Sequence, residues 1–183
     1  MTKIALALAA LLMFGCSSVT HFTQKTAGEV RQAVTIHNSE QDSATQYSGP
    51  RMQATTDGSD YNLYFYDLRA TESTVGGPTQ YQLKVDITYR ENWRYYEIAE
   101  LRGRQRLDTA PIKRSILNCV SARDCMYEEI LDIALSEEQI LTTIHNRDKL
   151  KLKLRAKSGH SSTIEVPLSY LMGFYAAIVN HAG

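Results

Sequence analysis

The sequence predicts a mainly β domain, an antiparallel β-sandwich or open barrel with one short internal helix and a C-terminal helix. Three observations carry this. Residues 81–89 alternate apolar and polar side chains without a break, and residues 149–156 do so again. A period of two puts one face of each strand inside and the other in water. Gly76-Gly77-Pro78, Gly103 and Ser158-Gly159 cut the chain between such runs, as in all-β proteins of short strands and frequent turns. An extended apolar stripe at helical spacing appears near the end, after Pro167.

The chain opens on a leader. Lys3 precedes residues 4–14, an unbroken apolar run of eleven. As a helix that run spans about 16 Å, too short for a hydrocarbon core of about 30 Å. It suits the apolar region of an export signal. Its ending, Leu12-Met13-Phe14-Gly15-Cys16, resembles a bacterial lipobox. The resemblance implies cleavage before Cys16 and acylation of both its thiol and the new amino terminus. Ser17, where aspartate would retain the protein at the inner membrane, implies the outer membrane, with the body facing the periplasm. The alternative is an ordinary cleaved signal, but no A-x-A site follows the run. The expected organisation is signal peptide 1–15, flexible tether 16–29 and a single β-rich domain 30–183.

Charge adds little. The 183 residues hold 20 basic and 20 acidic side chains, and loss of the leader removes only Lys3. No basic surplus points to nucleic acid, and no acidic surplus to cation buffering. With Cys16 assigned to lipid, Cys119 and Cys125 form an even pair in an oxidising compartment, which predicts a disulfide. The spacing is not the C-x-x-C of redox proteins, and no histidine stands near enough for zinc. A loop of about seven residues is worth roughly 2.4 kcal/mol in the chain-entropy formula.

The elements follow in order. Residues 17–29 are polar and read as tether. Residues 30–38 read as a first strand, with a short helix as the competing reading. Turn signals at Gly49-Pro50 and Asp57-Gly58 flank a short strand near 52–55. The aromatic run 61–69 predicts a strand covered on both faces. The alternation over 81–89 predicts a half-buried strand, and residues 93–101 a third core strand. Residues 112–117 lead as a strand into the cysteine loop. Beyond it Tyr127, Leu131, Ile133 and Leu135 share a face, with Glu129 as the exception. Ser136 and Gln139 make a capping box, with Leu135 and Ile140 as its hydrophobic staple, for a helix ending near His145-Asn146. Residues 149–156 and 163–166 form a hairpin. Pro167 opens the last helix, whose stripe is Leu168, Leu171, Met172, Tyr175, Ile178 and Val179. Gly173 within it predicts close backbone packing against the sheet.

Candidate chemistry is sparse. His21, His37, His145, His160 and His181 have no cysteine or second histidine at ligand spacing, and no metal or cofactor is expected. No nucleophile elbow, phosphate loop or zinc-protease motif occurs. Glu128 and Glu129 point to opposite faces of a strand, so they read as solvated charge. The run from Lys149 to Arg155 reads as an outer strand face that blocks aggregation. The candidate recognition surface is the aromatic and basic cluster Trp93, Arg94, Tyr95, Arg102, Arg104 and Arg106. The plain alternative is that its rings fill the core and its arginines keep a hairpin soluble.

Three stretches together resemble a group of small, uncharacterised proteobacterial lipoproteins. They are N-W-R-Y-Y-E-x-A from Asn92, the Cys119/Cys125 pair followed by Tyr127-Glu128, and V-P-L-S-Y-L-M-G-F from Val166. No functional residue transfers from that group. The expectation is a non-enzymatic envelope lipoprotein, anchored in the membrane by lipid, that binds a protein or glycan and no nucleic acid. The alternative is an inhibitor of a periplasmic or incoming hydrolase such as lysozyme.

Overall fold

A computed structural model describes residues 25–39, 43–56, 62–121 and 124–182. The leader, Cys16, Ser17, His21 and most of the tether lie outside the described residues. Its elements are α1 (Ala27–Ala33), β1 (Thr35–Ser39), β2 (Ala44–Ser48), β3 (Met52–Gln53), β4 (Thr55–Thr56), β5 (Leu63–Ser73), β6 (Gln80–Arg90) and β7 (Tyr96–Leu101). Then come β8 (Gln105–Leu107), β9 (Thr109–Ser121), β10 (Asp124–Leu135), α2 (Glu137–His145), β11 (Leu150–Ala156), β12 (Ser161–Val166) and α3 (Leu168–Ala182).

The strands form two open antiparallel sheets. One runs β1-β2-β5-β6-β10-β9, with β3 also on β5, and the other runs β4-β12-β11-β7-β8. The predicted sandwich is therefore the architecture observed. Period two puts Tyr64, Tyr66 and Leu68 of β5, Leu83, Val85 and Ile87 of β6, and Leu131 and Ile133 of β10 inside. They share one core with Leu152 and Leu154 of β11 and Ile164 and Val166 of β12. Val30, Ile140, Leu171 and Phe174 join that core from the three helices. Among the described residues no helix is long and apolar enough to cross a membrane.

Several expectations need correction. Residues 30–33 belong to α1, not to a first strand. Thr26 Oγ1 accepts from the Glu29 amide and the Glu29 carboxylate accepts from the Thr26 amide, a complete capping box. Folded structure thus begins inside the stretch read as tether. Residues 93–95 precede β7 as irregular chain. The buried side of α3 is Tyr170, Leu171, Phe174, Ala177 and Ile178, whereas Met172 and Val179 are about half exposed. Packing on two sides turns the helix from its most aliphatic stripe towards its rings. Tyr170 explains the choice: its hydroxyl accepts from the Leu68 amide at 3.1 Å and donates to the Pro50 carbonyl at 2.8 Å. Gly173 meets α1 and not the sheet, because a Cβ there would lie 2.4 Å from the Ala27 carbonyl oxygen.

The basic run on β11 also differs from expectation. β11 is an interior strand between β12 and β7, so its charges do not guard an edge. Lys149 and Lys151 pair with Glu165, and Arg155 with Glu100, on the neighbouring strands. One exposed edge of the larger sheet is β9, with β1 at the other end. The β9 register skips Ile112, Leu117 and Val120, and each is an exposed extra residue in a bulge. Three bulges in one strand spoil its template for further pairing. Cys119 stands opposite Cys125 across β9 and β10, and the two are bonded.

Candidate functional site

The connection between β6 and β7, residues 91–95, is strained and tightly held. Two non-glycine residues here hold left-handed backbone: Glu91 at φ +90° and Tyr95 at φ +60°. For a bulky side chain this conformation costs about 1–2 kcal/mol, and such strain concentrates at functional sites. The loop bears Trp93, Arg94 and Tyr95, half of the predicted recognition surface.

One carboxylate holds the loop in place. Glu129, on the inner face of β10, is fully buried. Its Oε1 accepts from the Tyr89 hydroxyl and, at 2.9 Å, from the Tyr95 amide. Its Oε2 accepts from the Tyr96 amide at 2.9 Å and from Arg114 Nε at 3.0 Å. Consecutive amides thus converge on one side chain across the two sheets. Arg114, on edge strand β9, supplies the balancing charge and also donates to the Tyr96 carbonyl at 3.5 Å. Sequence reading took Glu129 for solvated charge. An acid at an inward position between Tyr127 and Leu131 was the signal that set it apart. Glu128 faces out as expected, bound by Lys113 at 2.6 Å and Ser115 at 2.8 Å, and the Lys113 hydrogen bond is the main reason its carboxyl titrates below the ordinary range.

Above this hub lies an aromatic ledge. The Trp93 ring sits edge-on to Tyr127 at 4.7 Å and tilted beside Tyr95 at 6.0 Å. Tyr127 stacks in turn on Tyr89 at 5.8 Å. Tyr95 is 41% exposed, with Trp93 and Tyr127 half-buried. The Arg114 guanidinium lies 5.1 Å from the centre of the Tyr95 ring. Behind the ledge, inside the sandwich, Tyr64 Oη lies 3.3 Å from Tyr96 Oη and bonds Ser162 Oγ. Burial pushes the hydroxyls of Tyr64 and Tyr89 well above the usual phenol range, so both remain protonated.

The other predicted members are elsewhere. Arg94 turns inward and is buried. Arg102, Arg104 and Arg106 lie past the far end of β7, about 20 Å along a six-residue strand. Arg102 approaches Asp148 at 3.9 Å, and both line a cleft of ≈ 440 Å³ beneath α2, with Gln105, Gln139 and Lys149. Arg104 forms the β7–β8 turn at φ +66°, and Arg106 is exposed on β8. Closeness in sequence did not become one surface, because an extended strand separates the two groups. His37, His145, His160 and His181 are exposed, and no cluster of three metal-ligating side chains occurs among the described residues. Tyr127 and Arg114 complete the site, and both reach it only through strand pairing. No protein-family model, curated protein or solved structure matches this chain.

Proposed function

We propose that this chain is a non-enzymatic binding lipoprotein of the bacterial envelope, lipid-anchored through Cys16 on the periplasmic face of the outer membrane, and that Trp93, Tyr95 and Tyr127 form its recognition surface for a glycan. The observation that carries the reading is the ledge itself. Three partly exposed rings are held against one another by a strained loop whose amides end on a buried carboxylate. The C–H faces of a sugar ring stack on such rings, and Arg114 stands beside them as a donor to hydroxyls. Glu129 has the role of a clamp and not of an acid or base, since four donors already occupy its two oxygens.

The test is binding of purified envelope glycans to the chain and to Trp93→Ala and Tyr95→Asn. Asparagine tolerates the left-handed backbone of Tyr95. Each variant should lose at least about tenfold in affinity, as loss of an aromatic anchor does, while its far-ultraviolet circular dichroism shows it still folded. Undiminished glycan binding by both variants would remove the ledge from the reading. Inhibition of a lysozyme by the purified chain would instead favour a hydrolase inhibitor. The anchor is tested separately: Cys16→Ser should move the protein from the membrane fraction to the soluble periplasm.

A further inference from the structure

Arg94 is buried to within 6% of its accessible surface. Its guanidinium rests on the ring of Tyr89, 4.6 Å from the centroid. No carboxylate among the described residues pairs with it, and its Nη1 is wholly buried without a hydrogen-bond partner. A guanidinium carries five donors and does not lose its charge at any pH a protein survives. A ring face attracts the charge but accepts none of those hydrogen bonds in the plane of the fork. The neighbouring buried ionic pair, Glu129 with Arg114, is complete within itself, so among the described residues Arg94 is a positive charge inside the sandwich without a carboxylate. Buried charges are normally paired, and an unsatisfied buried donor calls for a physical explanation.

The surroundings suit an anion. The charge of Arg94 acts on the Tyr64 hydroxyl, which joins Tyr96 Oη and Ser162 Oγ in a short string of hydroxyls. Two of their three protons are used within the string, which leaves one to donate to an oxyanion. The backbone holds Arg94 in place without using its side chain. The Arg94 amide donates to Tyr89 Oη at 3.0 Å, and its carbonyl accepts from the Ser158 amide at 3.1 Å. The Tyr95 amide is tied to Glu129 and its carbonyl accepts from the Lys157 amide. The fork is therefore preorganised and the donors of its buried Nη1 are unspent.

We propose that Arg94 is the floor of an oxyanion-binding site, taking a carboxylate or phosphate group at the end of the sandwich that carries the β6–β7 loop. The site is independent of the aromatic ledge: Trp93 and Tyr95 point out of the loop where Arg94 points in. Planar, two-point recognition by a guanidinium fits both oxyanions.

The full chain, purified in a non-ionic detergent, is unfolded by heat and followed by the fluorescence of Trp93, its one tryptophan. Phosphate or acetate replaces chloride at constant ionic strength. Binding to the folded state alone lowers the apparent unfolding constant by a factor of about 11 at ten times Kd, so above Kd the melting temperature should keep rising with the logarithm of anion concentration. Arg94→Met fills the same space without charge. It should match or exceed the wild type in chloride, as apolar replacement of buried charges often does, and should respond to either anion less than the wild type, by the general salt effect alone. Should that variant fail to fold, the Arg94 Nε–Hε resonance of the wild type carries the test and should shift saturably with phosphate or acetate. The proposal is overturned if neither anion moves the melting temperature or that resonance, or if Arg94→Met responds like the wild type. Comparison of the phosphate and acetate midpoints tells which oxyanion the site prefers.

Discussion

Replacing Glu129 by alanine tests whether the β6–β7 loop is held as described. The substitution removes an acceptor that four donors share. Two of them, the Tyr96 amide and the Tyr89 hydroxyl, lie in buried surroundings. Each orphaned buried donor costs about 1–3 kcal/mol. The Tyr95 amide is only partly buried and the Arg114 side chain is 32% exposed, so water reaches both and their loss adds little. Glu129→Ala should therefore cost about 3–5 kcal/mol, the range found on breaking buried ion pairs. In urea, at a slope of about 2 kcal/mol/M, the midpoint falls by roughly 2 M. Glu129→Gln keeps the shape and separates packing from charge. Whichever way its amide turns, the NH₂ group meets two donors. The Tyr89 hydroxyl can rotate to accept, but the Tyr95 amide cannot. The expected cost is about 1–3 kcal/mol. The assay is urea unfolding of the disulfide-bonded chain followed by Trp93 fluorescence, with amide exchange read at Tyr95 and Tyr96. A midpoint within about 0.3 M of wild type for Glu129→Ala, with both amides still protected, would refute the clamp.

Three other perturbations follow from the fold. Gly173→Ala drives a Cβ to 2.4 Å from the Ala27 carbonyl oxygen and 2.7 Å from Val30 Cβ; despite better helix propensity it should lose about 1–3 kcal/mol, as overpacking does, with faster amide exchange across α1. Replacing Cys119 and Cys125 together by serine should lower stability by roughly 2.4 kcal/mol on the entropic account, measured by chemical denaturation, and leave the Trp93 emission maximum unchanged. Asp86 is held above the ordinary carboxyl range by burial, which outweighs the nearby Arg51. Its folded pKa exceeds its unfolded one, so the folded state keeps a proton longer, and stability falls as pH rises from the unfolded to the folded value. Stability curves from pH 3 to 7 should therefore show Asp86→Asn gaining on the wild type as pH rises; a difference that is flat or of opposite slope refutes this.

The candidate site was only half legible. Trp93 and Tyr95 stood out as aromatic residues beside arginines, and both are surface rings of the loop. Arg94 lies between them in sequence yet points inward. Arg102, Arg104 and Arg106 sit beyond β7, since a strand spends about 3.3 Å per residue and carries sequence neighbours apart. Glu129 was visible only as an interruption of an apolar face. Whether an interrupting acid is exposed or buried depends on which donors stand opposite, and those come from Tyr89, Tyr95, Tyr96 and Arg114 on four different segments.

Local pattern determined the β-rich class, the alternating strands β6 and β11, the α2 capping box from Ser136 to Gln139, and the two cysteines able to meet. Each is decided within a few residues by side-chain period, a cap or loop length. Tertiary structure alone decided the strand order that leaves β9 at an edge and β11 inside, the rotation of α3 onto Tyr170 and Phe174, the contact of Gly173 with α1, and the burial of Glu129 and Arg94. The reason is physical: an alternating strand specifies which of its faces is dry, but its neighbours decide what that face touches, and the fate of a charge is set by its neighbours.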